Sequence, residues 1–396
     1  MLRLTTTGES HGQALLAILE GAPAGVPLLA DDVNTQLARR QQGYGRGRRM
    51  KIETDQIEFL SGVRAGETIG APISMIVHNR DWKNWQEIMS PAPIDTDPAL
   101  RKRAVVRPRP GHADLVGMLK YDRSDARDIL ERASARETTA RVAGGAVCRA
   151  LLAAFGIRIG SYLVSLGEIV ASRPDVLPDD INAAVDESQL RTFDADAEAK
   201  MIAAIDAAKR DGDTLGGVCE VVVTGLPVGL GSHVSWDRKL DGRLAAALMS
   251  IQAVKGVEIG LGFAAARRHG SQVHDPIDAA DDDVSRGRVR RRTNNAGGLE
   301  GGITTGEPLV LRAAMKPIST LMRPLDSIDV QTRERVASTV ERSDVTAVPA
   351  MGVVAEAMAA YVLAEAMVEK FGGDSLSEMR RNYDGYLQYL ADRRGR

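Results

Sequence analysis

Apolar positions recur at helical spacing in four stretches of the chain. Residues 31–42 carry Val33 and Leu37 four apart and stop at Gly43. Ser134 opens a second helix as the first residue of a Ser-x-x-Glu capping box closed by Glu137. Its apolar stripe runs through Val142, Ala146, Ala150, Leu151 and Ala154 to Gly156. A third is expected over residues 237–255, with Leu240, Leu244, Leu248 and Ile251 on one face and Gly256 beyond its end. The fourth follows Pro349, with Val354, Met358, Tyr361, Ala364, Val368 and Phe371, and ends at Gly372-Gly373. Short β-like runs are expected at residues 73–77, 219–223, 259–265 and 308–313, separated by turn-rich segments. The two kinds of element do not alternate regularly. An α+β arrangement of antiparallel sheets around packed helices therefore fits better than a doubly wound parallel sheet. Residues 174–213, acidic and Ala-rich, suit a surface helix-loop region. No Pro/Ser linker divides the chain, so one domain over residues 1–396 is expected.

Composition changes this picture in two ways. The 51 Lys and Arg nearly balance 53 Asp and Glu, for a formal charge of -2, and aromatics make up only 4%. A nucleic-acid-binding surface, which needs a basic surplus and stacking rings, is thereby disfavoured. The second point concerns distribution, because the basic residues cluster and most are Arg. Cys148 and Cys219 sit in apolar surroundings and suit buried free thiols, with no spacing that would ligate a metal. The start, Met1-Leu2-Arg3-Leu4-Thr5, lacks a basic leader followed by an apolar stretch, and no unbroken run of ~18 apolar residues is evident. No membrane span and a cytoplasmic location are expected.

Several segments suit chemistry. Gly8-Glu9-Ser10-His11-Gly12 presents a histidine on a tight turn after a short strand, although a solvated turn is the blander account. Residues 39–49 hold five arginines and three glycines in eleven positions. Glycine admits close backbone approach, and guanidinium groups grip phosphate or carboxylate oxygens in pairs. Its spacing matches neither a dinucleotide fingerprint nor a Walker A loop. Arg107-Pro108-Arg109-Pro110-Gly111-His112 stiffens the approach to a second histidine, which Asp114 could orient. Glu131-Arg132-Ala133-Ser134 crowds polar groups at a helix start, where free N–H groups suit an anion. Five glycines in the ten residues 297–306 exclude a helix or a stable strand, and Met315-Lys316-Pro317-Ile318-Ser319-Thr320 follows. Glu341-Arg342-Ser343-Asp344 puts an Arg and an Asp just ahead of the last helix.

Taken in order, Gly-Glu-Ser-His-Gly, Gly-Tyr-Gly-Arg-Gly, Arg-Pro-Arg-Pro-Gly-His-Ala-Asp, Arg-Ala-Ser-Ala-Arg-Glu-Thr, Asn-Asn-Ala-Gly-Gly-Leu-Glu-Gly-Gly and Lys-Pro-Ile-Ser-Thr resemble the chorismate synthase family. The likeness spans residue 1 to about 375, with Thr7 standing where many members carry Phe or Ala. It implies a lyase that converts 5-enolpyruvylshikimate 3-phosphate to chorismate and phosphate by 1,4-anti-elimination with reduced FMN. A substrate with two carboxylates and a phosphate would account for the arginines without nucleic acid. By the same resemblance His11, His112 and Asp344 are the catalytic candidates. FMN contacts would be Arg132, Ala133, Ser134, Gln252, Ala253, Gly301, Lys316, Pro317, Ile318, Ser319, Thr320 and Arg342. Arg40 and Arg46 would serve NADPH, a possible reductant, and Arg39, Arg46, Arg49, Arg107 and Arg132 the substrate. The implied fold is a β-α-β sandwich, helices between two antiparallel sheets, assembled as a homotetramer, with an external flavin reductase as an alternative source of reduced flavin. Two other readings compete: a non-catalytic anion or RNA binder using the Gly45–Arg49 loop, and a flavin oxidoreductase with net hydride transfer.

Overall fold

A computed structural model describes residues 1–47, 54–93, 103–283, 286–341 and 343–392. In chain order the main elements are β1 (Arg3–Gly8), β2 (Ala14–Glu20), α1 (Ala30–Gln41), β3 (Glu58–Ser61) and β4 (Ile73–His78). Next come α2 (Asp114–Tyr121), α3 (Arg127–Ala133), α4 (Thr138–Ala153), β5 (Arg158–Leu166), β6 (Ile169–Val170), α5 (Ile181–Val185) and α6 (Ala195–Asp211). The chain continues through β7 (Gly217–Thr224), α7 (Leu240–Met249), β8 (Val254–Ile259), β9 (Leu309–Met315), α8 (Val348–Phe371) and α9 (Leu376–Ala391). One antiparallel sheet has the order β1-β2-β4-β3 and the other β8-β9-β7-β5-β6.

Each sheet turns one apolar face inward. In β9, Leu309, Leu311, Ala313 and Met315 alternate into the core, as the period of two demands. Helix α4 packs on β1 and β2, α8 packs on β5, β7 and β9, and the two helices pack on each other. The sandwich is closed by a glycine pair. A Cβ on Gly144 would lie 2.4 Å from Leu4 of β1, and one on Gly145 would lie 2.5 Å from the Ala357 Cβ of α8. Larger residues there would push the layers apart. Both expected thiols, Cys148 and Cys219, are free and buried in this core.

The structure corrects several expectations. Helix α8 is long and apolar enough to cross a membrane by length and composition, with a mean hydropathy of 1.6. It is nevertheless core, 78% of that stretch being buried. Its apolar residues ring the whole helix because both faces are covered. The Ser134 capping box does not form as expected. The Ser134 hydroxyl accepts from the Arg136 N–H, and the Glu137 carboxylate turns to Thr6, Arg141 and Gln252. The third helix stops at Met249, since Val254–Ile259 pairs with β9 as a strand. Expected strand 259–265 accordingly gives way to a 3-10 turn, Gly262–Arg267. In the glycine-rich segment, Leu299–Glu300 and Ile303–Thr304 pair as a short hairpin, with Gly301 and Gly302 in the turn at positive φ.

Candidate active site

Between the sheet-and-helix layers and the loops that follow β1, β9 and Val106 lies a cleft of about 400 Å³. Two histidines line it, and each is held by its Nδ1 on a buried carboxylate. Strand β1 ends at Gly8, whose φ of 97° admits no side chain: a Cβ would come 2.3 Å from the Ala14 carbonyl oxygen. The turn that follows sends His11 towards α3. There Glu131, 2% exposed, accepts from the His11 backbone N–H at 2.9 Å and sits 2.8 Å from the ring Nδ1. Arg127, one turn earlier on α3, binds the same carboxylate at 3.0 Å and Glu341 at 2.9 Å. The imidazole stacks on Trp85 with ring centroids 3.8 Å apart. Burial would raise the Glu131 carboxyl, but His11 and Arg127 together hold it below the usual range.

The second histidine repeats this plan with different elements. Gly111, at a φ of 76°, turns the rigid Pro-Arg-Pro segment. His112 Nδ1 then lies 2.5 Å from Asp114 Oδ1, at the start of α2. Arg109 grips the same carboxylate with Nε at 2.8 Å and Nη2 at 3.0 Å, and its Nη1 reaches Thr320 at 2.9 Å. Asp114 is fully buried. Burial pushes its carboxyl up, yet His112 and Arg109 outweigh that and hold it well below the ordinary range. Both imidazoles thus have one nitrogen committed to an anion, an arrangement that fixes tautomer and ring plane.

Cations crowd the remaining wall. Arg40 Nε donates to Thr138 at 3.0 Å. Its Nη1, 3.7 Å from Asp55, has no hydrogen-bond partner among the described residues. Burial first, with Arg136 and Arg46 adding repulsion against the pull of Asp55, brings the Arg40 guanidinium down to about 9. Asp55 also takes Arg136 at 2.5 Å. Asp344 binds Arg46 Nε at 3.2 Å and the Gly47 N–H at 2.6 Å, closing the 45–47 turn onto the start of α8. Lys316 Nζ donates to the Gly111 carbonyl at 3.1 Å. Burial and the nearby Lys255 lower its ammonium. Ile251, Met315, Met351 and Val354 give the cleft an apolar side. Beside them Gln252 donates to Glu137 at 3.0 Å. Its buried Oε1 has no hydrogen-bond partner among the described residues.

Most of the expected site residues meet here. His11, His112 and Asp344 line the cleft, as do Arg40, Arg46, Ala133, Ser134, Gln252, Ala253, Lys316, Ile318, Ser319 and Thr320. Pro317 is bracketed by lining residues without facing the cavity. Three arginines are not brought in. Arg39 is spent on Glu356 and Asp186 inside the sandwich, Arg107 is exposed, and Arg132 turns to the Thr6 and Gly8 carbonyls. Gly301 is exposed on its hairpin, away from the cleft. Arg49 and Arg342 lie outside the described residues. Sequence reasoning missed Arg109, Arg127, Glu131, Arg136 and Trp85. Of these, Arg109, Glu131 and Arg136 stood inside motifs already singled out. Trp85 offered no local signal, because only the fold brings residue 85 to residue 11.

With this geometry in view, the comparisons with known proteins agree. Residues 2–368 match the family described as chorismate synthase. A chorismate synthase of Geobacter metallireducens is 60% identical over 393 residues, covering 98% of this chain and 99% of that one. One of Symbiobacterium thermophilum is 57% identical over 395 residues, covering 99% and 100%. A solved structure described as the crystal structure of chorismate synthase superposes with a TM-score of 0.77 at 43% identity, covering 98% of each chain.

Proposed function

The chain belongs to the chorismate synthase family, and from that we propose how its cleft performs the family's reaction. The enzyme is a lyase that forms chorismate and phosphate from 5-enolpyruvylshikimate 3-phosphate, a small-molecule substrate. The observation that carries the assignment of roles is the pair of histidines, each clamped through Nδ1, facing one arginine-lined cavity. A substrate bearing two carboxylates and a phosphate needs many fixed donors. Arg40, Arg46 and Lys316 present them without reorganisation.

The residues also fit a reduced flavin. Gln252 Oε1 is a buried acceptor awaiting an N–H donor, and the side formed by Ile251, Met315, Met351 and Val354 suits a flat apolar ring. Gln252, Ala253, Ala133, Ser134 and residues 316–320 would hold FMN. Bound there, the reduced cofactor would supply electron density that eases C–O cleavage, so that loss of the non-acidic ring hydrogen need not depend on a side-chain base alone. His11 would give a proton from Nε2 to the departing phosphate, and His112 would hold positive charge beside the reduced ring. Asp344 would set the Arg46 turn and serve as a proton relay. Gly301 would join a cofactor site only through a second copy of the chain, consistent with a homotetramer of single-domain protomers working in the cytoplasm.

Anaerobic incubation with substrate and reduced FMN tests the mechanism. Stoichiometric release of phosphate and chorismate without net flavin oxidation is expected; release coupled to flavin oxidation, or none, would refute it. NADPH oxidation that requires FMN and is lost in Arg40→Met would put the reductant site on Arg40 and Arg46. No oxidation would leave reduction to an external flavin reductase.

A further inference from the structure

Glu131 stands 120 residues from His11 in the chain, in a motif read only as an anion site, yet it makes three contacts to the His11 turn. It accepts the His11 backbone N–H at 2.9 Å and faces the ring Nδ1 at 2.8 and 3.0 Å through its two oxygens. It also accepts, through its own carbonyl, the Ser10 N–H at 2.9 Å. A surface glutamate could not do this reliably, but Glu131 is 2% exposed and cannot trade partners with water. The other side of the imidazole is closed by Trp85. That indole is itself pinned: its Nε1 donates to Asp81 at 3.0 Å, and the guanidinium groups of Arg103 and Arg127 lie 4.4 and 5.3 Å from its ring centroid. His11 is therefore bounded by a hydrogen-bonded edge and a stacked face, which leaves neither ring flip nor tautomer exchange without cost.

We propose that Glu131 and Trp85 are positioning residues that lock His11 in the orientation with Nδ1–H on Glu131, so that Nε2 alone exchanges protons in the cleft. The inference rests on the assignment of His11 as proton donor to the leaving phosphate. In that step the Nε2–H bond breaks, an O–H bond forms on the phosphate, and the ring ends neutral with Nδ1–H still on Glu131. Among the described residues, charged groups near the ring include Glu131 and Arg127 of α3, Glu341 behind Arg127, Arg103 across the indole and Asp81 beneath its N–H. Arg127 keeps Glu341 as a partner when Glu131 loses its charge. Glu131→Gln thus tests the clamp without stranding a buried guanidinium.

The first readout is the ¹⁵N spectrum of histidine-labelled, ligand-free protein at alkaline pH, with His11 signals identified by their absence in His11→Gln. The wild type should show the Nδ1-protonated tautomer, and Glu131→Gln a substantial population of the Nε2-protonated one. Turnover of Glu131→Gln should fall roughly tenfold or more with the substrate KM nearly unchanged. Trp85→Leu, which keeps the Glu131 carboxylate but removes the stacked face, should lower turnover in the same way, while Trp85→Phe, which keeps a stacking face, should restore most of it. A wild-type tautomer and wild-type turnover in Glu131→Gln would overturn the proposal. So would equal rates in Trp85→Leu and Trp85→Phe. Normal turnover in His11→Gln would instead remove the donor assignment, and the ¹⁵N spectrum would then decide the clamp by itself.

Discussion

Two clusters of arginine and carboxylate start from the last turn of the same helix, α1, and they are put to opposite uses. Arg39 and Arg40 are adjacent on α1, so their side chains diverge by about 100° around the helix. Arg39 enters a knot in the sandwich interior. It binds both oxygens of Glu356 at 2.9 Å, and Arg149, Arg191, Ser161 and Asn182 bind the same carboxylate. Arg39 also spends its Nε on Asp186 and Nη1 on Gln36. Arg40 enters the cleft, where Asp55 is shared with Arg136 and one Arg40 nitrogen is left without a hydrogen bond among the described residues. The lesson is that counting cations does not locate a binding site. Counting donors that the protein does not use itself comes closer, since a buried donor left unmet is costly unless a ligand meets it.

The largest effect that would separate the two clusters is on stability. Glu356→Ala should cost about 3–5 kcal/mol, because two buried guanidinium groups, Arg39 and Arg191, and the half-buried Arg149 lose their shared anion. Denaturant melts measure this, and a loss below ~1 kcal/mol would mean that water reaches the knot. His11→Ala and His112→Ala should each lower turnover roughly 10²-fold or more while the same melts stay near wild type. Near-normal rates in both would remove the acid/base roles.

A smaller effect distinguishes the neighbouring arginines. Arg40→Met should weaken substrate or cofactor binding about tenfold with little change in stability. Arg39→Met should do the reverse, destabilising the fold with KM unchanged in whatever protein remains folded. An exchange of these two outcomes would mean that the clusters have been misassigned.

Acid should reveal the knot as well. Burial alone would raise the Glu356 carboxyl, but Arg39, Arg149 and Arg191 outweigh it and bring it to about 2, against an ordinary 4.5. A carboxyl depressed in the folded state contributes stability that is fully present above 4.5 and is lost as pH falls towards 2. The urea midpoint of the wild type should therefore drop across that interval. In Glu356→Gln, which has no charge to lose there, the drop should be shallower, and identical slopes would exclude Glu356 as a source of the acid sensitivity.

Much of this was legible in the sequence, for identifiable reasons. The apolar length of α8, the β-like run at 308–313 and the turns at Gly8 and Gly111 are local, and local patterns survive translation into structure. The histidines could be found because glycines and prolines mark loops held in one shape. The strand Val254–Ile259 was absorbed into a helix because Val254 and Ile251 continue the stripe of α7, and only pairing with β9 ends it. The fate of Arg39 depended on Glu356, more than three hundred residues away in the chain. Trp85 reached His11 in the same non-local way. Such partners have no spacing to read.

The most direct test of the cleft as the place of chemistry is a crystal structure of the protein with oxidised FMN and substrate bound. The cleft geometry predicts density for both molecules in one cavity, with a ring N–H donating to Gln252 Oε1, an anionic oxygen on Arg40 and substrate between His11 and His112. Ligand density at any other place, with Gln252 Oε1 and Arg40 Nη1 still unmatched, would contradict it.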